Sequence, residues 1–237
     1  MGKKAKRLEK ENAKKQDSDL RLFESVNAEV SLNGSPILPP DEDPSSINTK
    51  QYVFREWKST VQQYQNFGDI CLVNSFFSAN ECDAWKRFIL STNALTRVNH
   101  EASLFYTSRR QLRGEIYNED IAQMIFMRLK LVLEIMQKNA VLKIVQGNAS
   151  RCDPRLRVYC YEEGDSFGRH IDEVRRVPDD SFDDESCYTV LIYLSGGDDL
   201  EGGETVFYSE MNHGREPLAI QPVEGTLLIH PHGDLCL

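Results

Sequence analysis

The residues best suited to chemistry in this chain are His170 and Asp172, separated by Ile171. In extended backbone, residues i and i+2 point to the same side. An imidazole and a carboxylate at this spacing can therefore converge on one cation. Completed by a second imidazole from a distant strand, they form the facial donor set of mononuclear non-haem iron(II) sites, which keeps coordination positions open. Alone, the pair is a weak signal, because a His near an Asp on a surface is commoner than a ligand pair. His100 and His213 fall in loop-like stretches and read as ordinary surface residues. His230 and His232 flank Pro231, and they share a face only if a strand continues through the proline, which instead argues a strand end or turn. The cysteines Cys71, Cys82, Cys152, Cys160, Cys187 and Cys236 contain no C-x-x-C pair, so neither a zinc ribbon nor a thioredoxin-type site is supported.

The elements that must position the pair lie in residues 51–237. Residues 1–15 are a basic run of seven Lys and Arg against two Glu, and residues 31–50 are rich in Pro, Ser and Asp. The spacing and composition predict tail and linker over 1–50, disordered, and a folded domain after it. Ile70–Val73 reads as a short buried strand. Ser78 with Glu81 three residues on is a capping box that opens a helix through Cys82, Trp85, Phe88 and Ile89. Residues 97–117 show no clean period and are expected to form a long loop. Ile121, Met124, Ile125, Leu129, Val132, Leu133 and Met136 recur at helical spacing over 119–138. After Asn148 the period changes to that of strands. Leu156, Val158 and Cys160 alternate with Arg157, Tyr159 and Tyr161, and Cys187–Leu194 suits a central strand. Gly196-Gly197 and Gly202-Gly203 mark turns, and 205–208, 218–223 and 226–229 supply further short strands. Helices first and glycine-punctuated strands later predict an α+β chain whose strands form an antiparallel sandwich or barrel.

Composition narrows the function classes. The net charge of −9 makes the chain a poor generic nucleic-acid binder. The longest apolar run, near Val190–Leu194, is too short to span a membrane. The N-terminal lysines have no apolar run behind them, so no secretory signal is read, and the cysteines are expected as reduced thiols of a cytoplasmic or nuclear protein.

Taken in order, the motifs resemble those of the Fe(II)/2-oxoglutarate-dependent dioxygenases of the prolyl 4-hydroxylase type. The resemblance runs from about Phe67 onward. It rests on Ile70–Cys82, on the box from Arg157 through Tyr161, Gly164 and Phe167 to His170 and Asp172, on Tyr188–Leu194, on Gly202-Gly203-Glu204-Thr205-Val206-Phe207, and on Gln221–Leu228. It implies a double-stranded β-helix (jelly roll) core with N-terminal flanking helices. It implies Fe(II), 2-oxoglutarate as co-substrate, O2 and ascorbate. His170 and Asp172 match the first two iron ligands. Tyr161 and Tyr193 match tyrosines near the co-substrate, Tyr193 at its distal carboxylate. The implied reaction hydroxylates an unactivated C–H bond, peptidyl proline by family default, with release of succinate and CO2. The substrate would be a peptide, a protein or a small molecule. By the family's register the distal histidine and the basic co-substrate anchor would follow Leu237, with the final strands. The chain is therefore expected to be C-terminally incomplete, with His232 as the substitute ligand within it. A catalytically inactive binding or regulatory protein that keeps the β-rich scaffold is the alternative from another class. A cupin-like binding protein explains the tyrosines and the G-G-E-T hairpin less well.

Overall fold

The computed structural model describes residues 25–37, 53–64, 70–104, 106–138, 149–175, 185–208 and 217–232, with backbone alone at 25–37, 53–64 and 131–138. In chain order these hold β1 (Ser25–Ile37), β2 (Val53–Tyr64), β3 (Ile70–Val73), α1 (Ala79–Ser91), β4 (Thr96–His100), β5 (Arg109–Tyr117), α2 (Glu119–Lys138), β6 (Arg155–Cys160), β7 (Ser166–Phe167), β8 (Tyr188–Ile192), β9 (Thr205–Phe207), β10 (Leu218–Ile220) and β11 (Leu227–Pro231). The expected strand-rich half is present, and every described pairing is antiparallel. Mixed helices and antiparallel sheets are compatible with the jelly roll that the motifs imply.

Five strands join in the order β1-β2-β3-β11-β8, three in the order β4-β5-β6 with β7 on β5, and β9 pairs β10. Three expectations are corrected. Residues 97–117, expected as loop, supply β4 and β5, so His100 sits on a strand. β8, expected in the centre of a sheet, ends the order of described strands. β11 runs through His230 to Pro231, so His230 is a strand residue opposite Thr189. Strand β1 occupies part of the stretch expected as tail and linker. Residues 1–24, His213 and Cys236 lie outside the described residues.

Strand alternation divides the interior into two cores. Cys71, Val73, Leu227 and Ile229 face the helices and pack with Phe76, Phe77, Cys82, Trp85, Ile89, Ile121, Met124, Ile125 and Leu129. Ile70, Leu72 and Leu228 face the other way and pack with Phe207, Leu218, Ile220, Leu191 and Tyr193. Helix α1 starts at the expected capping box: Ser78 Oγ accepts from Glu81 N, and Glu81 Oε2 accepts from Ser78 N at 2.8 Å. Helix α2 buries Ile121, Met124, Ile125 and Leu129 on one stripe, as its period requires. Arg128 interrupts that apolar surface while 1% exposed; its guanidinium donates to Glu81 Oε1 and to the Phe76 carbonyl, each at 2.7 Å.

A tight turn joins the two sides. Gly225 takes φ +78, and a side chain there would strike the Phe77 carbonyl. Its carbonyl accepts from Phe77 N at 3.0 Å, and its N–H donates to Tyr193 O at 2.8 Å. This turn ties β11 to the start of α1 and to the end of β8.

Candidate metal centre

The second core face leads to the chemistry. Thr189 and Leu191 of β8, with Tyr193 just past its end, alternate inward; Leu228 and His230 of β11, with His232 just past its end, do the same. The polar ends of these two rows meet Asp172. Thr189 Oγ1 donates to Asp172 Oδ2 at 2.6 Å. His230 Nε2 stands 3.7 Å from the same oxygen, and His170 Nε2 stands 3.4 Å from Oδ1. The segment at 170–172 is not a strand, yet it brings the two side chains together as the i, i+2 spacing predicts.

Hydrogen-bond bookkeeping fixes the tautomers. His170 Nδ1 lies 3.0 Å from the Gly168 carbonyl, which can only accept, so Nδ1 carries the hydrogen. In the neutral ring, Nε2 then turns a lone pair toward Asp172. His230 repeats the arrangement, with Nδ1 3.1 Å from the Pro231 carbonyl. Two lone pairs facing one carboxylate repel unless a proton or a metal cation lies between. The titration directions follow. Asp172, through its bond to His170, holds the His170 proton and raises its pKa, while Asp172 itself is driven far below the carboxylate range. Burial lowers the pKa of His230 and keeps it neutral.

His232 has a different task. Thr189 has one hydroxyl hydrogen, and Asp172 receives it. His232 Nε2, 2.8 Å from Thr189 Oγ1, must therefore be the donor, and its Nδ1 accepts from Ser186 Oγ at 3.2 Å. The hydrogen bonds run one way, from Ser186 through His232 and Thr189 to Asp172. This row orients the carboxylate, as the outer residues of metal sites do. The imidazole nearer the carboxylate is thus His230, which the proline next to it had disguised, and not His232. Thr189 also escaped the sequence reading, because it lies 17 residues from Asp172 and only the strand pairing brings it there.

Among the described residues, no three His, Cys, Asp or Glu side chains are placed to hold a metal ion together. The fit to Fe(II) therefore rests on the His170–Asp172 pair: one imidazole nitrogen and one carboxylate, oriented by a backbone carbonyl and a threonine. The ring of His170 is fixed further by stacking on Phe167, with centroids 3.8 Å apart. Phe207 meets His230 edge-on at 5.1 Å. Tyr193, half-buried, shares a 2.7 Å hydrogen bond with Thr205 of the G-G-E-T hairpin. Tyr161 is 49% exposed, and desolvation of its hydroxyl pushes its pKa to about 12, so it remains a donor. Neither tyrosine touches the His170–Asp172 pair in the described contacts.

Residues 156–235 match the family model of the 2OG-Fe(II) oxygenase superfamily. The match spans the whole constellation from Tyr161 to His232, and it supports a member of that superfamily: a dioxygenase using iron, 2-oxoglutarate and O2. No curated protein and no solved structure gives a significant match to the chain.

Proposed function

We propose that the chain is a hydroxylase of the prolyl 4-hydroxylase type on a jelly-roll scaffold, with His170 and Asp172 as iron ligands and a peptidyl substrate. The observation that carries this reading is the pair of Nε2 atoms, each with its Nδ1–H committed to a backbone carbonyl, facing opposite oxygens of Asp172. With both rings neutral that arrangement lacks a positive charge: a proton on His170, which Asp172 favours, supplies one in the metal-free site, and a divalent ion would take that proton's place. Bound iron would couple decarboxylation of 2-oxoglutarate to hydroxylation of a C–H bond, with ascorbate maintaining the reduced metal.

The protein's own residues do the positioning. Gly168 O and the Phe167 ring hold the His170 imidazole, and Thr189 and His232 hold Asp172. Tyr193 and Tyr161 offer hydroxyls to the co-substrate's carboxylate; Tyr193 would exchange its bond to Thr205 for one to that group. A third donor at the family's register, and a basic partner for the distal carboxylate, are not among the described residues. His230 is the best-placed imidazole to serve as the third.

Iron stoichiometry and 2-oxoglutarate-dependent succinate release, with and without Fe(II) and ascorbate, test this reading. Turnover lost in His170→Ala and Asp172→Ala is the expected result. Absence of both iron and succinate release in the unmodified chain overturns it. A second reading, a non-catalytic binding or regulatory protein, is favoured by the absence of a three-donor group among the described residues. That same null result would remove the catalytic reading and leave this one.

A further inference from the structure

The sheet β4-β5-β6 carries six arginines and one glutamate in a chain whose net charge is −9. Half of these arginines are neutralised locally. Arg97 and Arg110 pair with Asp165, and Arg155 pairs with Glu115. Arg109, Arg113 and Arg157 have no acidic partner among the described residues. These three share a face. Arg109, Gln111 and Arg113 alternate along β5, Arg113 registers with Tyr159, and Glu115 registers with Arg157. The opposite face presents Ile116, Leu156 and Val158 to the helix-side core.

Gln111, between Arg109 and Arg113 on this face, is 0% exposed, and neither its amide oxygen nor its amide nitrogen has a hydrogen-bond partner; Arg109 Nε is likewise buried and unpartnered. Buried amides without partners are rare in finished structures, and they mark places where a further polar group is expected. The face also leads to the candidate metal centre. The Arg109 guanidinium lies 3.8 Å above the Phe167 ring, whose other neighbour is the His170 imidazole.

We propose that this arginine face is the substrate-docking surface and that its ligand is an acidic peptide segment, with carboxylates paired to Arg109, Arg113 and Arg157. The proposal rests on the oxygenase reading for its meaning as a substrate site. Guanidinium forks match carboxylates bidentately. From Arg109 to the position opposite Arg157, the row spans about 20 Å at about 3.4 Å per residue, the length of an extended segment of about six residues. A small acid would need only one of the arginines. A long polyanion such as RNA would extend past the row into the field of an acidic chain, whereas a short acidic segment meets the row alone.

The test uses the full chain and a fluorescein-labelled Glu-Glu-Ala-Pro-Glu-Glu peptide, read by anisotropy. Its lysine counterpart and a single-stranded RNA of matched charge are the controls. The acidic peptide is expected to bind with an affinity that falls with salt, and the lysine peptide not to bind. Arg113→Glu and the exposed Arg157→Glu should each weaken binding at least about tenfold, with unchanged circular dichroism. No binding of the acidic peptide, equal or tighter binding of RNA, or indifference to both charge reversals would overturn the proposal. Iron content and peptide-free succinate release, measured on the unmodified chain, report on the oxygenase reading separately. Peptide binding without iron would sink that reading and leave the docking surface standing.

Discussion

Two carboxylates in this molecule, Glu81 and Asp172, both use both of their oxygens, and they do so to opposite ends. On the helix side, Glu81 Oε2 accepts the Ser78 N–H and Oε1 accepts from Arg128, whose remaining reach goes to the Phe76 carbonyl. The Arg128 guanidinium also lies over Phe76 and Phe77, at 5.5 and 5.2 Å. A permanent cation completes that cluster, and it asks nothing of solvent or ligand. On the sheet side, Asp172 meets one hydroxyl and two imidazoles whose Nδ1 hydrogens are already committed. Its surroundings are ordered, and the positive charge it draws is an exchangeable proton on His170 rather than a permanent cation. A carboxylate finished by arginine is architecture; one flanked by imidazoles that hold a proton reversibly can exchange that proton for a metal cation, as proposed above.

The comparison can be broken most directly at Arg128. Arg128→Ala strands Glu81 in the core, and breaking a buried pair in this way costs about 3–5 kcal/mol. Chemical denaturation reads that loss, and an effect below about 1 kcal/mol would remove Glu81–Arg128 from the finished class. Asp172→Asn is the counterpart. It keeps an oxygen for Thr189 and gives the imidazoles an N–H, so the melting temperature should hold while iron is lost. A large drop in stability would instead make Asp172 structural.

The next effect is at the row that orients Asp172. Thr189→Ala should lower iron affinity or turnover by about 10–100-fold, the usual cost of losing an outer partner of a metal site. Iron titration of the variant checks it, and unchanged affinity would show that the row does not orient the carboxylate. Smaller again is Ser78→Ala, which removes one cap from α1 and should cost about 1 kcal/mol in thermal or urea unfolding, with iron binding untouched.

The smallest effect is a pH dependence. Hydrogen bonding from Arg97 holds Asp165 below its ordinary pKa of 3.8. The folded state therefore binds the Asp165 proton less readily than the unfolded chain. The stability this adds is present above about pH 3.8 and disappears as pH falls through the lower folded value. Arg97→Ala should lower stability above about pH 3.8, leave it nearly unchanged below the folded value, and so flatten that acid limb. A limb of unchanged steepness would place the acid sensitivity elsewhere.

The helix side was the more legible of the two regions. Ser78 and Glu81 announce α1 by spacing alone, and the apolar stripe from Ile121 to Leu129 announces the start of α2, because both signals are local. The sheet side depends on closure over distance. The His170–Asp172 pair could be read from its own spacing, but Thr189 and His232 reach Asp172 only after β8 and β11 pair. His230 was hidden by Pro231, which the strand accommodates at its last position. β5 was hidden by its polar face: Arg109, Gln111 and Arg113 stand where a half-buried strand is expected to alternate with apolar residues, and Arg110 interrupts the other face. Strands that carry charge inward for a ligand lose the periodicity by which strands are recognised.

The single phenyl ring of Phe167 has the His170 imidazole as one neighbour and the Arg109 guanidinium as another. It is therefore a natural reporting position. An indole in its place, as Phe167→Trp, would be quenched on one side by a paramagnetic ion at His170 and shifted in colour on the other by a carboxylate drawing the guanidinium away. One emission spectrum would then follow both events, and the order in which its intensity and wavelength change would give the order in which the two ligands arrive.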